Sequence, residues 1–153
     1  MKAFCWNYDV LTRDGAIETL KKIRAHGDMN YILSSNNPDE LQAFIKKYDL
    51  SSSVLSMAVA EWQEVADSAS RSRGFKASEL YQTAKLPFAD LTIMIGCDDK
   101  DMKAVETAKR LLTREREYQK RVIGVLFDPD GKKADIPCGY RINELPQVLS
   151  LSF

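Results

Sequence analysis

Long apolar runs are absent from this chain. Nowhere do about 18 apolar residues follow one another, the length that a membrane-crossing helix needs. The opening MKAFCWNYDV turns polar too soon for a signal-peptide core. Net charge is absent as well: Lys plus Arg and Asp plus Glu number 22 each, so no long-range field marks the molecule as a nucleic-acid or membrane binder, and a charged partner must be met locally. Histidine is nearly missing. His26 stands alone among lysines and arginines at the end of an apolar-periodic stretch, where a favourable helix-dipole contact is its natural use, and histidine-based catalysis has little support. Three cysteines, Cys5, Cys97 and Cys138, are odd in number and widely spaced, which excludes a CxxC zinc site and a disulfide framework and leaves reduced thiols. With 7 glycines and 5 prolines spread thinly there is no low-complexity linker. The expectation is a soluble, cytoplasmic protein.

What is present is apolar mass. With 44% of 153 residues hydrophobic, the chain can bury a core unaided, and a single domain over 1–153 is expected. Lys2 to Trp6 is a bulky run stopped by Asn7, as in a strand buried on both faces. Ala16, Ile17, Leu20 and Ile23 recur at helical spacing and end at Gly27. Tyr31-Ile32-Leu33 is a second strand, stopped by Ser34-Ser35-Asn36-Asn37, and Pro38 opens a helix with Leu41, Phe44 and Ile45 inward. Val54 to Val59 reads as a third strand. Glu61 to Gly74 is polar, rich in serine and arginine, and fits a helix or a loop. Ala77 to Ala84 is helical, Leu91 to Ile95 is a strand ending at Gly96-Cys97-Asp98-Asp99, and Met102 to about Tyr118 predicts a long helix. Val122 to Phe127 is a fifth strand, Asp128-Pro129-Asp130-Gly131 a turn, and Tyr140 to Ile142 with Asn143 to Leu149 a last short strand and helix.

Strands alternating with helices imply a mostly parallel sheet covered on both faces, an α/β three-layer Rossmann-like sandwich, because parallel strands need crossover connections. Ligands of such folds gather at the carboxyl ends of the strands. The polar residues there are Asn7 and Asp9, Ser34 and Ser35, and Asp98, Asp99 and Asp101. By residue type alone Asn7 and Asp9 also suit hydrogen bonding to nearby backbone, and Asp99 suits capping of the following helix.

The order of these residues resembles the haloacid dehalogenase-like superfamily. MKAFCWNYDVLT is similar to its first motif, an apolar strand leading to Asp-x-Asp, with Asn7 at the place of the nucleophilic aspartate and Asp9 at that of the general acid and base. Gly27 to Ser34 has the spacing of the second motif, so Ser34 is the better phosphate-binding candidate and Ser35 the next. Lys76 in GFKASELY stands where the third motif has its lysine. IMIGCDDKDMKAV resembles the fourth, Gly-Asp-x-x-x-Asp, with Asp101 in place and Cys97 at the first acidic position, beside Asp98.

The resemblance implies phosphoryl transfer to the first aspartate and then to water, with magnesium held by acidic residues. Asn7 offers a neutral amide in place of a charged nucleophile. Cys97 removes a hard oxygen ligand, leaving Asp98, Asp101, Asp99 as a further candidate, and the backbone carbonyl of Asp9 for weak magnesium binding or none. Lys76, with fewer carboxylates to neutralise, is expected to favour anions more strongly. Little room for a cap domain appears after Asp9 or before Lys76, and capless relatives often act on large substrates or use a neighbouring subunit as cover, so a homo-oligomer is open. The leading expectation is an impaired phosphatase-fold protein that binds a phosphate-like anion, on a phosphorylated small molecule or a protein partner. One alternative is an active magnesium-dependent phosphomonoesterase. Another is an interaction module using a basic helix over 109–121, with Lys109, Arg110, Arg114, Arg116, Lys120 and Arg121; Arg71, Arg73 and Lys76 form a second basic cluster. No membrane is indicated as partner; a nucleic acid is left open, though net charge gives it no support.

Overall fold

Apolar runs cut short by polar residues set the strands of this protein, and a computed structural model describes residues 1–35, 37–59 and 74–153. Six strands form one sheet: β1 (Lys2–Asn7), β2 (Met29–Ser34), β3 (Ser56–Val59), β4 (Leu91–Gly96), β5 (Arg121–Phe127) and β6 (Tyr140–Ile142). Their spatial order is β3-β2-β1-β4-β5-β6, and every neighbouring pair is parallel. Helix α1 (Tyr8–Leu11) is a single turn directly after β1, followed by α2 (Ala16–Ala25), α3 (Pro38–Lys47), α4 (Phe75–Ala84) and α5 (Asp99–Arg114), with a 3-10 helix over Leu145–Ser150.

Alternation along β1 sorts the core into two layers, since successive strand residues point to opposite faces. Phe4 and Trp6 join Leu20 and Ile23 of α2, Leu41 of α3, and Leu145 and Val148 on one face. Ala3 and Cys5 join Leu80 of α4 and Met102, Val105, Ala108 and Leu112 of α5 on the other. Polar Asn30, fully buried in β2, is satisfied: it accepts from the Trp6 indole at 2.9 Å and donates to the carbonyls of Leu20 and Ser53 at 3.0 Å each. The chain winds outward from β1 through β2 to β3, then returns to place β4 on the other side of β1. The strand order therefore reverses between β1 and β4, and the crevice at their carboxyl ends is where such folds hold ligands.

Two expectations change. The basic helix over 109–121 does not exist as one element: α5 starts three residues before Met102 and stops at Arg114. Arg116 takes a left-handed conformation (φ 61°), the Arg116 N–H donates to the Thr113 carbonyl at 3.0 Å and the Glu117 N–H to the Leu112 carbonyl at 2.9 Å, which is a Schellman stop. Arg121 already belongs to β5, and the Lys120 ammonium turns inward to the carbonyls of Leu86 and Ala89. Second, Asp98 caps α5, its Oδ1 accepting the Asp101 N–H at 2.8 Å, whereas Asp99 lies inside the first turn. The expected helix or loop over 61–74, with Arg71 and Arg73, lies outside the described residues except for Gly74. No helix among the described residues is long and apolar enough to cross a membrane.

Candidate functional site

Asn7, Lys76, Cys97, Asp98 and Asp101 meet at the β1–β4 crevice, and Asp101 is their hub. Its carboxylate is wholly buried, on the first turn of α5. Lys76 Nζ donates to its Oδ1 at 2.6 Å; Asn7 Nδ2 at 2.7 Å and the Cys97 N–H at 2.9 Å donate to its Oδ2. Gly96 permits this: a Cβ there would sit 2.5 Å from the Asp101 Cβ and 2.6 Å from its Oδ2, so only glycine lets the strand end pass so close. Sequence reasoning placed Gly96 in a motif without this steric role.

Both ends of the Asn7 amide are committed. Its Oδ1 accepts the Asp9 N–H at 2.9 Å, capping α1, and its Nδ2 faces the Asp101 carboxylate and, at 3.7 Å, the Cys97 sulfur. The orientation is fixed by chemistry, since a backbone N–H only donates and an ionised carboxylate only accepts. The cap reading of Asn7 is realised, and the same side chain reaches Asp101. Asp9 is exposed, and its carbonyl accepts from Thr12 Oγ1 at 2.9 Å.

Ser34 is buried at the end of β2, while Ser35 is exposed and lines an open cleft of about 460 Å³ with Gly74, Lys76, Lys100 and Lys103. The expectation that Lys76 has little carboxylate to neutralise is corrected: it holds the buried Asp101, because Asp101 has no other full positive charge within salt-bridge reach among the described residues. Cys97 is half-buried, and its thiol is pushed up to about 11, first by burial, then by the charges of Asp101 and Asp98, with Lys133 opposing. A thiol held protonated in this way is a poor nucleophile at neutral pH.

Cys97, Asp98 and Asp101 do bring ligand-type atoms within 4.8 Å of one another. The donor set nevertheless does not fit magnesium, which takes hard oxygens in an octahedral shell. Both Asp101 oxygens are spent on Lys76, Asn7 and the Cys97 N–H, one Asp98 oxygen caps α5, the Asn7 oxygen serves the Asp9 N–H, and Cys97 offers a soft sulfur. One residue at this site was missed from the sequence. Lys133, in the connection between β5 and β6, donates from its ammonium to the Cys97 carbonyl. The turn Asp128-Pro129-Asp130-Gly131 was the one signal nearby, and a turn says nothing of where a lysine two residues later will reach.

No protein-family profile matches the chain, and no curated protein sequence does. Solved structures do. Over 90% of this chain, the crystal structure of a dehalogenase with an intermediate complex is similar at a TM-score of 0.62 and 19% identity. The chain spans 55% of that dehalogenase. The NMR structure of the core domain of a provisionally named phosphoglycolate phosphatase from Streptococcus pneumoniae TIGR4 is similar over 97% of this chain and 93% of that domain, at a TM-score of 0.63 and 18% identity. With this sheet order, all strands parallel and no cap among the described residues, the chain has the haloacid dehalogenase-like core fold.

Proposed function

We propose that this protein is a phosphatase-fold chain with an impaired reaction centre, which binds a phosphate-like anion, on a small molecule or a protein segment, at the carboxyl ends of β1, β2 and β4. The observation that carries the reading is the Asn7 amide: its nitrogen donates to Asp101 and its oxygen accepts from Asp9. A nucleophile for phosphoryl transfer needs a negatively charged oxygen with a lone pair aimed at phosphorus, and position 7 offers neither. Cys97 does not replace it, because burial and two aspartates keep its thiol protonated.

Support for anion binding is the polarity left over. An ammonium carries three N–H donors, and Lys76 spends one on Asp101. Ser35 and Lys100 border the same cleft, as does Lys103, which is paired with Asp99 at 2.7 Å. The parallel to the phosphatase fold supplies the chemistry of the ligand, a phosphomonoester or its equivalent.

Phosphate release from a panel of phosphorylated compounds, with magnesium or chelator, tests the reading in the unmodified protein and in an Asn7→Asp, Cys97→Asp double variant. No turnover by the unmodified chain, together with binding of inorganic phosphate, is expected. Magnesium-dependent turnover by the unmodified chain sinks the impairment.

A further inference from the structure

Lys133 is held over the crevice by a purpose-built clamp. The nearly buried Asp128, just past the end of β5, accepts the Lys132 N–H at 3.1 Å through Oδ1 and the Lys133 N–H at 3.2 Å through Oδ2. Arg141 of β6 bridges to Asp128 Oδ2 at 3.2 Å, to the Lys133 carbonyl at 2.7 Å and to the Ile136 carbonyl at 2.8 Å. The Lys133 backbone is thus fixed at both its N–H and its C=O, and its side chain spans from the β5–β6 connection to the end of β4, where the ammonium meets the Cys97 carbonyl. No other hydrogen bond to this ammonium forms among the described residues. It lies within electrostatic reach of the Cys97 thiol, together with Asp101, Asp98 and Asp9.

We propose that Lys133 is the site's built-in cation: its clamped ammonium, seated on the Cys97 carbonyl, supplies the positive charge that a divalent ion would bring to Cys97, Asp98 and Asp101, repels such an ion, and presents its remaining N–H donors to a bound anion. Around Cys97 three carboxylates, Asp9, Asp98 and Asp101, face two ammonium groups, Lys76 and Lys133, so the crevice is close to balanced with no metal. A lysine is suited to this place because an ammonium is a compact point charge with three donors, which binds phosphate oxygens without a fixed coordination shell. The anion part of the inference rests on the function proposed above; the exclusion of a divalent cation does not.

The test uses the full chain and two readouts. Mn2+ binding is followed by water-proton relaxation for the unmodified protein, Lys133→Gln, Lys133→Arg and, as a control that removes the same charge one residue away, Lys132→Gln. Lys133→Gln is expected to bind Mn2+ roughly tenfold more tightly than the unmodified chain, with Lys133→Arg unchanged and Lys132→Gln within about twofold. Equal affinity in the two glutamine variants overturns the inference, since a mere staple between loop and strand predicts that equality. Circular dichroism establishes that each variant is folded. In the second readout, calorimetry with inorganic phosphate is expected to give the same Kd in magnesium and in chelator for the unmodified chain, and roughly tenfold weaker binding for Lys133→Gln. Magnesium-tightened phosphate binding by the unmodified chain counts against Lys133 as the cation. Absence of any phosphate binding sinks the anion-site function, and the Mn2+ comparison then decides Lys133 by itself.

Discussion

Placing a carboxylate at position 7 should destabilise this protein. In the Asn7→Asp variant one oxygen can still accept the Asp9 N–H, but the other replaces an amide nitrogen that stands 2.7 Å from Asp101 Oδ2. A hydrogen bond to a charged group, worth about 1.5–3 kcal/mol, becomes a contact between two buried carboxylates. Lys76 already serves the other Asp101 oxygen and offsets only part of the repulsion. The loss is about 3–5 kcal/mol, the range for a buried charge left without its partner. In a chain of this size that corresponds to about 10 °C in Tm.

The pH dependence has a definite sign. Two carboxylates in contact raise the folded-state pKa of one of them above its unfolded value. The folded variant then holds an extra proton, so its stability deficit is absent below the unfolded carboxyl pKa, grows as pH rises from there, and levels off above the folded pKa. Thermal melts of both proteins across pH 4.5 to 8 read the difference directly. Magnesium should return part of the lost stability when Cys97→Asp and Lys133→Gln are both added, because a shared cation then relieves the repulsion. A variant that melts within about 1 °C of the unmodified protein at pH 8, with no trend in pH, would refute the Asn7–Asp101 geometry.

Gly96→Ala should cost about 3 kcal/mol, read by urea unfolding, because the new Cβ meets an Asp101 side chain pinned by three donors and unable to yield. Iodoacetamide at pH 8 should label Cys97 about a hundredfold more slowly in the folded chain than in the urea-unfolded one, given a thiol at about 11 against 9.0 for an ordinary cysteine. Rapid native labelling at Cys97, mapped by mass spectrometry, would contradict its buried, anion-flanked setting.

The strands were legible because each is an apolar run with a polar stop, and such stops become the ligand-facing ends of a parallel sheet. Asn7, Lys76 and Asp101 were likewise found in order and do converge. What escaped depends on partners distant in sequence. The end of α5 was read too late because its left-handed stop residue is Arg116 rather than glycine, and arginine carries no stop signal. Lys76 was expected to have few carboxylates to neutralise because positions 7 and 97 carry Asn and Cys, whereas the burial of Asp101 against it was not visible. Lys133 was invisible because its reach follows from Asp128 and Arg141 closing on each other across a loop, an event without local periodicity.

The reversal of strand order between β1 and β4 also governs how this chain is made. During synthesis β1 can dock β2 early, but its other edge, carrying backbone groups between Phe4 and Trp6, stays bare until β4 emerges; the Asn7–Asp101 bond joins residues 94 positions apart. A bare apolar strand edge invites pairing with other chains, and such long-range pairings form slowly. Residues at the crevice therefore close the sheet as well as line the site, and substitutions there should register first as lost soluble yield. A ligand bridging β1 and β4 would act as a fastener across the last seam to form.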